Sequence, residues 1–182
     1  MLPVLGTPKF RLLSAGISIS LVGLCLLLGS TLACSGGMPG AEFGVFVGDD
    51  APAFDIPLVG GDTIGLEGLR GKGVIVNFWS TWCAPCVREL PLLDSVARDH
   101  SDDGLIVLAV NMGETEDEIL SFLESFDLGF PIALDSTGDV SRMYGVVGLP
   151  MSVFIDGDGV VQYRRIGELR EDLIARGLDR IL

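Results

Sequence analysis

The sequence predicts an α/β domain with a central mixed β-sheet flanked by helices and an N-terminal hairpin. Apolar runs of strand length alternate with segments of helical period, the order that α/β folds require. One run, Val74 to Trp79, is apolar at every position but Asn77, as suits a central strand covered on both faces. A late pair of strands joined by Asp156-Gly157-Asp158-Gly159 must run antiparallel, so the sheet cannot be wholly parallel. A chain of 182 residues suits about one domain at ~150 residues each.

The elements follow in order. Phe54 to Leu66 reads as two short strands around the turn Gly60-Gly61-Asp62. Gly71-Lys72-Gly73 then opens the strand Val74 to Trp79. From Cys83 to about His100 the period is helical: Cys86, Leu90, Leu93 and Ala97 fall on one face. Pro91 lies inside this helix and cannot donate to the Val87 carbonyl, so a kink is expected there. Leu105 to Val110 is a second buried strand. Thr115-Glu116-Asp117-Glu118 reads as a capping box that opens a helix through Phe126. Pro131 to Leu134 is a short strand, and Asp139 to Tyr144 a helical turn. Ser152–Ile155 and Val160–Arg165 are the late strands, and Leu169 to Ile181 is a closing helix that buries Leu173, Ile174, Leu178 and Ile181. No internal repeat is visible.

The N-terminus has a different character. Lys9 and Arg11 are the only charges before Glu42, and the apolar heart of the run between runs from Ile17 to Leu28. A positive flank, then an apolar run, then small residues is the order of a secretory signal. Ala33-Cys34-Ser35-Gly36-Gly37 resembles the end of a bacterial lipoprotein signal, cut before Cys34 with lipid added to that thiol. It departs from that pattern at Thr31 and Leu32. Three readings stay open: a lipidated Cys34, an uncleaved membrane helix, or a plain cleaved signal. All three place the rest of the chain outside the cytoplasm, since the positive end stays inside. The organisation read here is 1–34 signal, lipoprotein-type or anchor segment, 35–48 Gly-rich tether, and 49–182 folded domain.

Charge excludes several functions. Twelve Lys+Arg stand against 25 Asp+Glu, and setting Lys9 and Arg11 aside leaves ten against 25, or −15 over residues 35–182. Nucleic acid is not an expected partner, because phosphate binding needs clustered cations. Four cysteines are too few for a disulfide scaffold. Metal chemistry is not expected either: a zinc site wants four ligands, and beyond Cys25 and Cys34 the chain offers two cysteines and His100 alone. No cofactor is implied. Asp156 to Gly159 looks in part like a calcium loop, but Gly167 holds the place of the distal bidentate acid. Glu114, Glu116, Asp117 and Glu118 suit a helix N-terminus.

Cys83-Ala84-Pro85-Cys86 carries the chemistry. Two thiols three apart at a helix start can close into a small disulfide. Cys83 lies at the helix N-terminus, where free N–H groups and the dipole stabilise a thiolate. Such a thiol falls well below ~8.5, toward about 7 or lower. Cys86 shares the buried face with Leu90 and is the candidate resolving thiol, which releases a partner from a mixed disulfide. Glu89 is the candidate proton acceptor. Three residues on, it lies about 60° round the helix from Cys86, and partial burial would raise its pKa toward neutrality.

The run Val76 to Pro91, with its W-C-x-P-C-x-x-E-x-P core, resembles the active-site segment of the thioredoxin superfamily, in its TlpA/ResA branch. Ala51-Pro52-Ala53-Phe54 with Gly68 to Lys72, and Tyr144 to Pro150 with Phe154-Ile155-Asp156, are similar to that branch's opening segment and second active-site loop. The resemblance implies a thioredoxin-like fold with a strand–helix insertion around 104–131. It also implies a cis peptide bond at Pro150, which faces the thiol pair while Leu149 offers its backbone to an incoming chain. Asn77 stands where thioredoxin has a buried aspartate, which shifts the base role to Glu89. Trp79 and Trp82 are expected to pack beside the thiols, Trp82 on the substrate side.

The function this implies is an exported, membrane-tethered thiol-disulfide oxidoreductase of the protein-disulfide reductase type. Its partners would be disulfide-containing extracytoplasmic proteins, such as apocytochrome c or metal-site assembly proteins. A membrane thiol donor would recharge it, and a monomer is expected. Competing readings are a disulfide-forming oxidant using the same pair, a thiol peroxidase, and a non-enzymatic copper chaperone.

Overall fold

The computed structural model describes residues 44–182. Cys34, the whole segment 1–34 and residues 35–43 of the expected tether lie outside the described residues. Among the described residues no helix is long and apolar enough to cross a membrane.

β1 (Asp55–Pro57) and β2 (Thr63–Gly65) form the predicted hairpin, with Ile56 opposite Ile64. The main sheet holds β3 (Gly73–Trp79), β4 (Leu105–Met112), β5 (Ile132–Asp135), β6 (Met151–Ile155) and β7 (Val161–Ile166) in the order β5-β4-β3-β6-β7. The β3, β4 and β5 strands are parallel, and β6 and β7 are antiparallel to their neighbours. The sheet is therefore mixed, as the late hairpin required. The helices are α1 (Ala84–Asp99), α2 (Glu116–Leu123), α3 (Asp139–Met143) and α4 (Glu171–Ile181). The strand–helix segment expected over 104–131 supplies β4 and α2, and β4 pairs on both sides within the sheet.

Period two on β3 sorts the core into two halves. Ile75 and Trp79 face α1 and α4, packed with Leu90, Leu93, Leu173 and Ile174. Val74, Val76 and Phe78 face the other way, toward the hairpin, α3 and the stretch Val45–Phe54, with Ile56, Val140 and Tyr144. Asn77 shares the parity of Ile75 and Trp79, which puts its amide beneath α1.

Three expected boundaries are corrected. The domain starts before residue 49: Val45 is buried, and the Gly48 N–H donates to the Val161 carbonyl at 2.8 Å. Ala51 likewise donates to the Gly159 carbonyl at 2.9 Å, so the backbone groups beside the β6–β7 hairpin hold residues 45–48 down. α2 ends at Leu123 rather than Phe126. α4 starts at Glu171 rather than Leu169. A 3₁₀ turn at Leu66–Leu69 was not foreseen. Pro91 sits within α1 without ending it.

Candidate active site

The site lies where β3 runs into α1. Cys83 is the N-cap of α1, in extended conformation, and its sulfur accepts from the Cys86 N–H at 3.4 Å. Pro85 occupies the first turn, where a missing N–H costs no helical bond. The two sulfurs are joined as a disulfide, Sγ–Sγ 2.03 Å. Cys86 is fully buried and Cys83 nearly so. When the pair is reduced, the end of α1 places its unpaired N–H groups around Cys83 and favours negative charge there.

Glu89 is only 1% exposed, on the face of α1 turned to the sheet. Its Oε1 accepts from Asn77 Nδ2 at 2.8 Å, and its Oε2 accepts from the Leu169 N–H at 2.6 Å. Asn77 Nδ2 also donates to Ser152 Oγ on β6 at 2.9 Å. Burial pushes the Glu89 carboxyl up to about 7 against the opposing pull of its two hydrogen bonds. Its titration thus falls near neutral pH.

The second loop follows α3. The Leu149–Pro150 peptide is cis. Met151 pairs with Phe78, and the antiparallel register carries Pro150 toward the end of β3, just ahead of the thiols. Trp79 packs in the same core cluster as both cysteines. Trp82 does not: it is 72% exposed. It lines a groove of about 400 Å³ with Met112, Val146, Val147 and Leu149. Val147 is 84% exposed, so the groove has an apolar lip.

Glu114 is the residue that sequence reasoning misplaced. It is buried, unlike its neighbours Glu116, Asp117 and Glu118. Its Oε2 accepts from the Thr81 N–H at 2.8 Å and from Asn111 Nδ2 at 2.7 Å, and its Oε1 accepts from the Thr81 hydroxyl. Its own carbonyl accepts from Ser136 Oγ at 3.2 Å. The Glu114 side chain therefore ties the loop carrying Cys83 to the end of β4, and its backbone carbonyl adds the segment after β5. No local signal separates Glu114 from the acids beside it. The pairing follows from the β3–β4 register, which sets Trp79 against Asn111.

Among the described residues no group of three or more His, Cys, Asp or Glu is placed to hold a metal ion. Met151 is buried and packed, and Asp156 caps its own turn through the Asp158 and Val160 N–H groups.

A two-cysteine disulfide capping a helix, a cis X-Pro loop across the sheet end and a mixed five-stranded sheet together define a thiol-disulfide oxidoreductase of thioredoxin-like fold. A family model, the AhpC/TSA family, matches residues 47–164. The thiol-disulfide oxidoreductase ResA of Bacillus thuringiensis subsp. konkukian is 36% identical over 135 residues, covering 74% of this chain and 78% of that protein. ResA of Geobacillus kaustophilus is 39% identical over 137 residues, covering 75% and 79%. The crystal structure of StoA from Bacillus subtilis superposes with a TM-score of 0.62 at 26% identity, covering 70% of this chain and 97% of that one. The chain belongs to the AhpC/TSA family, among its ResA-like thiol-disulfide oxidoreductases.

Proposed function

We propose that this enzyme is exported, tethered to the membrane through its N-terminal segment, and reduces disulfides in extracytoplasmic proteins. What carries the reading is the Cys83–Cys86 disulfide at the start of α1 with the buried Glu89 carboxyl behind it. In this reading the Cys83 thiolate attacks one sulfur of a substrate disulfide; that S–S bond breaks, the other substrate sulfur leaves as a thiolate, and a mixed disulfide forms. Cys86 then gives its proton to Glu89 and attacks Cys83 Sγ. The Cys83–Cys86 bond forms, and the substrate sulfur leaves as a thiolate with the electron pair. Trp82 and Leu149 flank the incoming chain in the apolar groove, and Pro150 follows Leu149 across the cis bond. A membrane thiol donor returns two electrons to the pair. Cytochrome c maturation and metal-site assembly are the substrate classes that the family resemblance implies. A lipidated Cys34 or an uncleaved helix supplies the tether.

The reduction potential of the pair, measured on the full chain in detergent micelles against thiol buffers, tests the direction. A value near or below about −270 mV makes it a reductant that must be recharged from inside the cell. A value near about −120 mV makes it an oxidant and sinks the reductase reading. A copper titration with a Cys83→Ala, Cys86→Ala control addresses the chaperone alternative. Saturable binding without disulfide turnover would replace the enzyme reading. A peroxidase would need a peroxidatic cysteine in its own anion-binding loop, whereas here both thiols sit in one turn of α1.

A further inference from the structure

Glu89 borders a surface cleft of about 500 Å³ that is separate from the Trp82 groove. Arg88, Leu92, Glu168, Leu169 and the first turn of α4 line it. Two contacts bind the 167–170 loop to α1 at this place. Leu169 N–H donates to Glu89 Oε2 at 2.6 Å. One residue earlier, Glu168 forms a two-pronged ion pair with Arg88, Nε–Oε1 3.2 Å and Nη2–Oε2 2.5 Å. So the same loop gives Glu89 a hydrogen bond and places a second carboxylate beside it, and a guanidinium from the residue next to Glu89 holds that carboxylate.

The groups facing Glu89 come from four directions. β3 presents the neutral Asn77 amide, with Ser152 of β6 behind it. The 167–170 loop presents Leu169 N–H and Glu168. At the cleft rim stand Arg170, which caps α4, and Glu171 and Asp172 of α4 itself, with Arg170 and Asp172 paired at 3.3 Å. α1 itself contributes Arg88 and Cys86. Glu168 repels an ionised Glu89, and the Arg88 guanidinium pairs with Glu168 and stabilises its charged form.

We propose that the Arg88–Glu168 ion pair is a positioning pair that sets how tightly Glu89 holds its proton. The inference rests on the reading of Glu89 as the acceptor of the Cys86 proton. That proton then leaves Glu89 for water through the cleft, and the pair at its wall determines at what pH it does so.

The test uses the full chain in micelles, with carbon-13 NMR following the Glu89 carboxyl through a pH titration. Arg88→Ala leaves Glu168 uncompensated and should raise the Glu89 midpoint. Glu168→Gln removes the repelling charge and should lower it. Each shift should amount to about a two- to fivefold change in proton affinity, the range of a partly exposed charge pair. Arg88→Lys keeps the charge and should stay near wild type. A loop that merely loosens would lose the Leu169 bond in both variants and raise both midpoints. Opposite shifts therefore support the proposal, and shifts of one sign, or none, overturn it. The pH profile of mixed-disulfide resolution separates the two readings. If the midpoints move oppositely while the kinetic profile stays fixed, the ion pair sets Glu89 as proposed, and the base role of Glu89 falls.

Discussion

At the scale of single residues, two buried carboxyls divide the work around the thiols. Glu89 touches β3 and the 167–170 loop through one neutral amide and one N–H, and among the described residues no cation pairs with it directly. Its charge is thus poorly compensated, and it holds a proton to about pH 7. Glu89→Gln should keep the fold and slow the release of mixed disulfides by roughly 10²-fold or more, the usual contribution of a positioned base. Stopped-flow resolution of a trapped Cys83 adduct across pH 5–9 checks it. A profile with the same inflection as wild type would remove Glu89 from the proton path. Glu114 has the opposite character, three donors around one carboxylate. Glu114→Ala leaves the Thr81 N–H and the Asn111 amide unpaired and should cost roughly 1–3 kcal/mol, read from a urea midpoint. Sequence made Glu89 legible because its helical offset from Cys86 is fixed by the period of α1. It left Glu114 illegible, because only the pairing of two distant strands brings it to Thr81.

At the scale of elements, what could be read was what a local period or a local bond decides. The apolar run of β3 and the capping box of α2 are both present: Thr115 Oγ1 accepts from the Glu118 N–H, and the Glu118 carboxylate accepts from the Thr115 N–H. Thr115→Ala should cost α2 about 1 kcal/mol, visible as a lower thermal midpoint. The end of α2 was misread for a physical reason. Phe122 and Phe126 are four apart and stack with ring centroids 4.7 Å apart, the contact a helix would give. The chain achieves it with a tight turn instead, in which the Phe126 N–H donates to the Leu123 carbonyl at 2.9 Å. Gly177 in α4 shows a limit of propensity reasoning. Alanine is favoured in a helix by up to about 1 kcal/mol, yet a methyl group here would run into the buried Phe154 ring. Overpacking of that kind costs roughly 1–3 kcal/mol. Gly177→Ala should therefore destabilise the domain in urea, and a stabilised variant would show that Phe154 has room to move.

At the scale of the whole molecule, the acidic balance and the buried Glu89 act on stability in different pH ranges. The net charge of −15 over residues 35–182 keeps the domain soluble and says little about its fold. Its ion pairs are mostly exposed, such as Arg142–Asp139 and Arg170–Asp172, and each contributes little. Glu67, Glu118 and Glu168 are held below the ordinary carboxylate range by Arg70, Thr115 and Arg88 respectively. Their contribution is present above the unfolded-state pKa near 4.5 and is lost as pH falls below it. Glu89 has the reverse sign. Its folded pKa, about 7, lies above the unfolded value of 4.5, so between those values the folded chain binds the extra proton. Stability from this group is complete below about pH 4.5 and declines as pH rises to about 7. For a group this buried the span is on the order of 3 kcal/mol. The oxidised protein should therefore lose stability in urea between pH 5 and 7, where most domains are flat or improving. Glu89→Gln, which cannot ionise, should abolish that decline while leaving the acid limb below pH 4.5 intact. A decline that persists in the variant would assign it to another group and would leave Glu89 ionised in the folded protein at neutral pH.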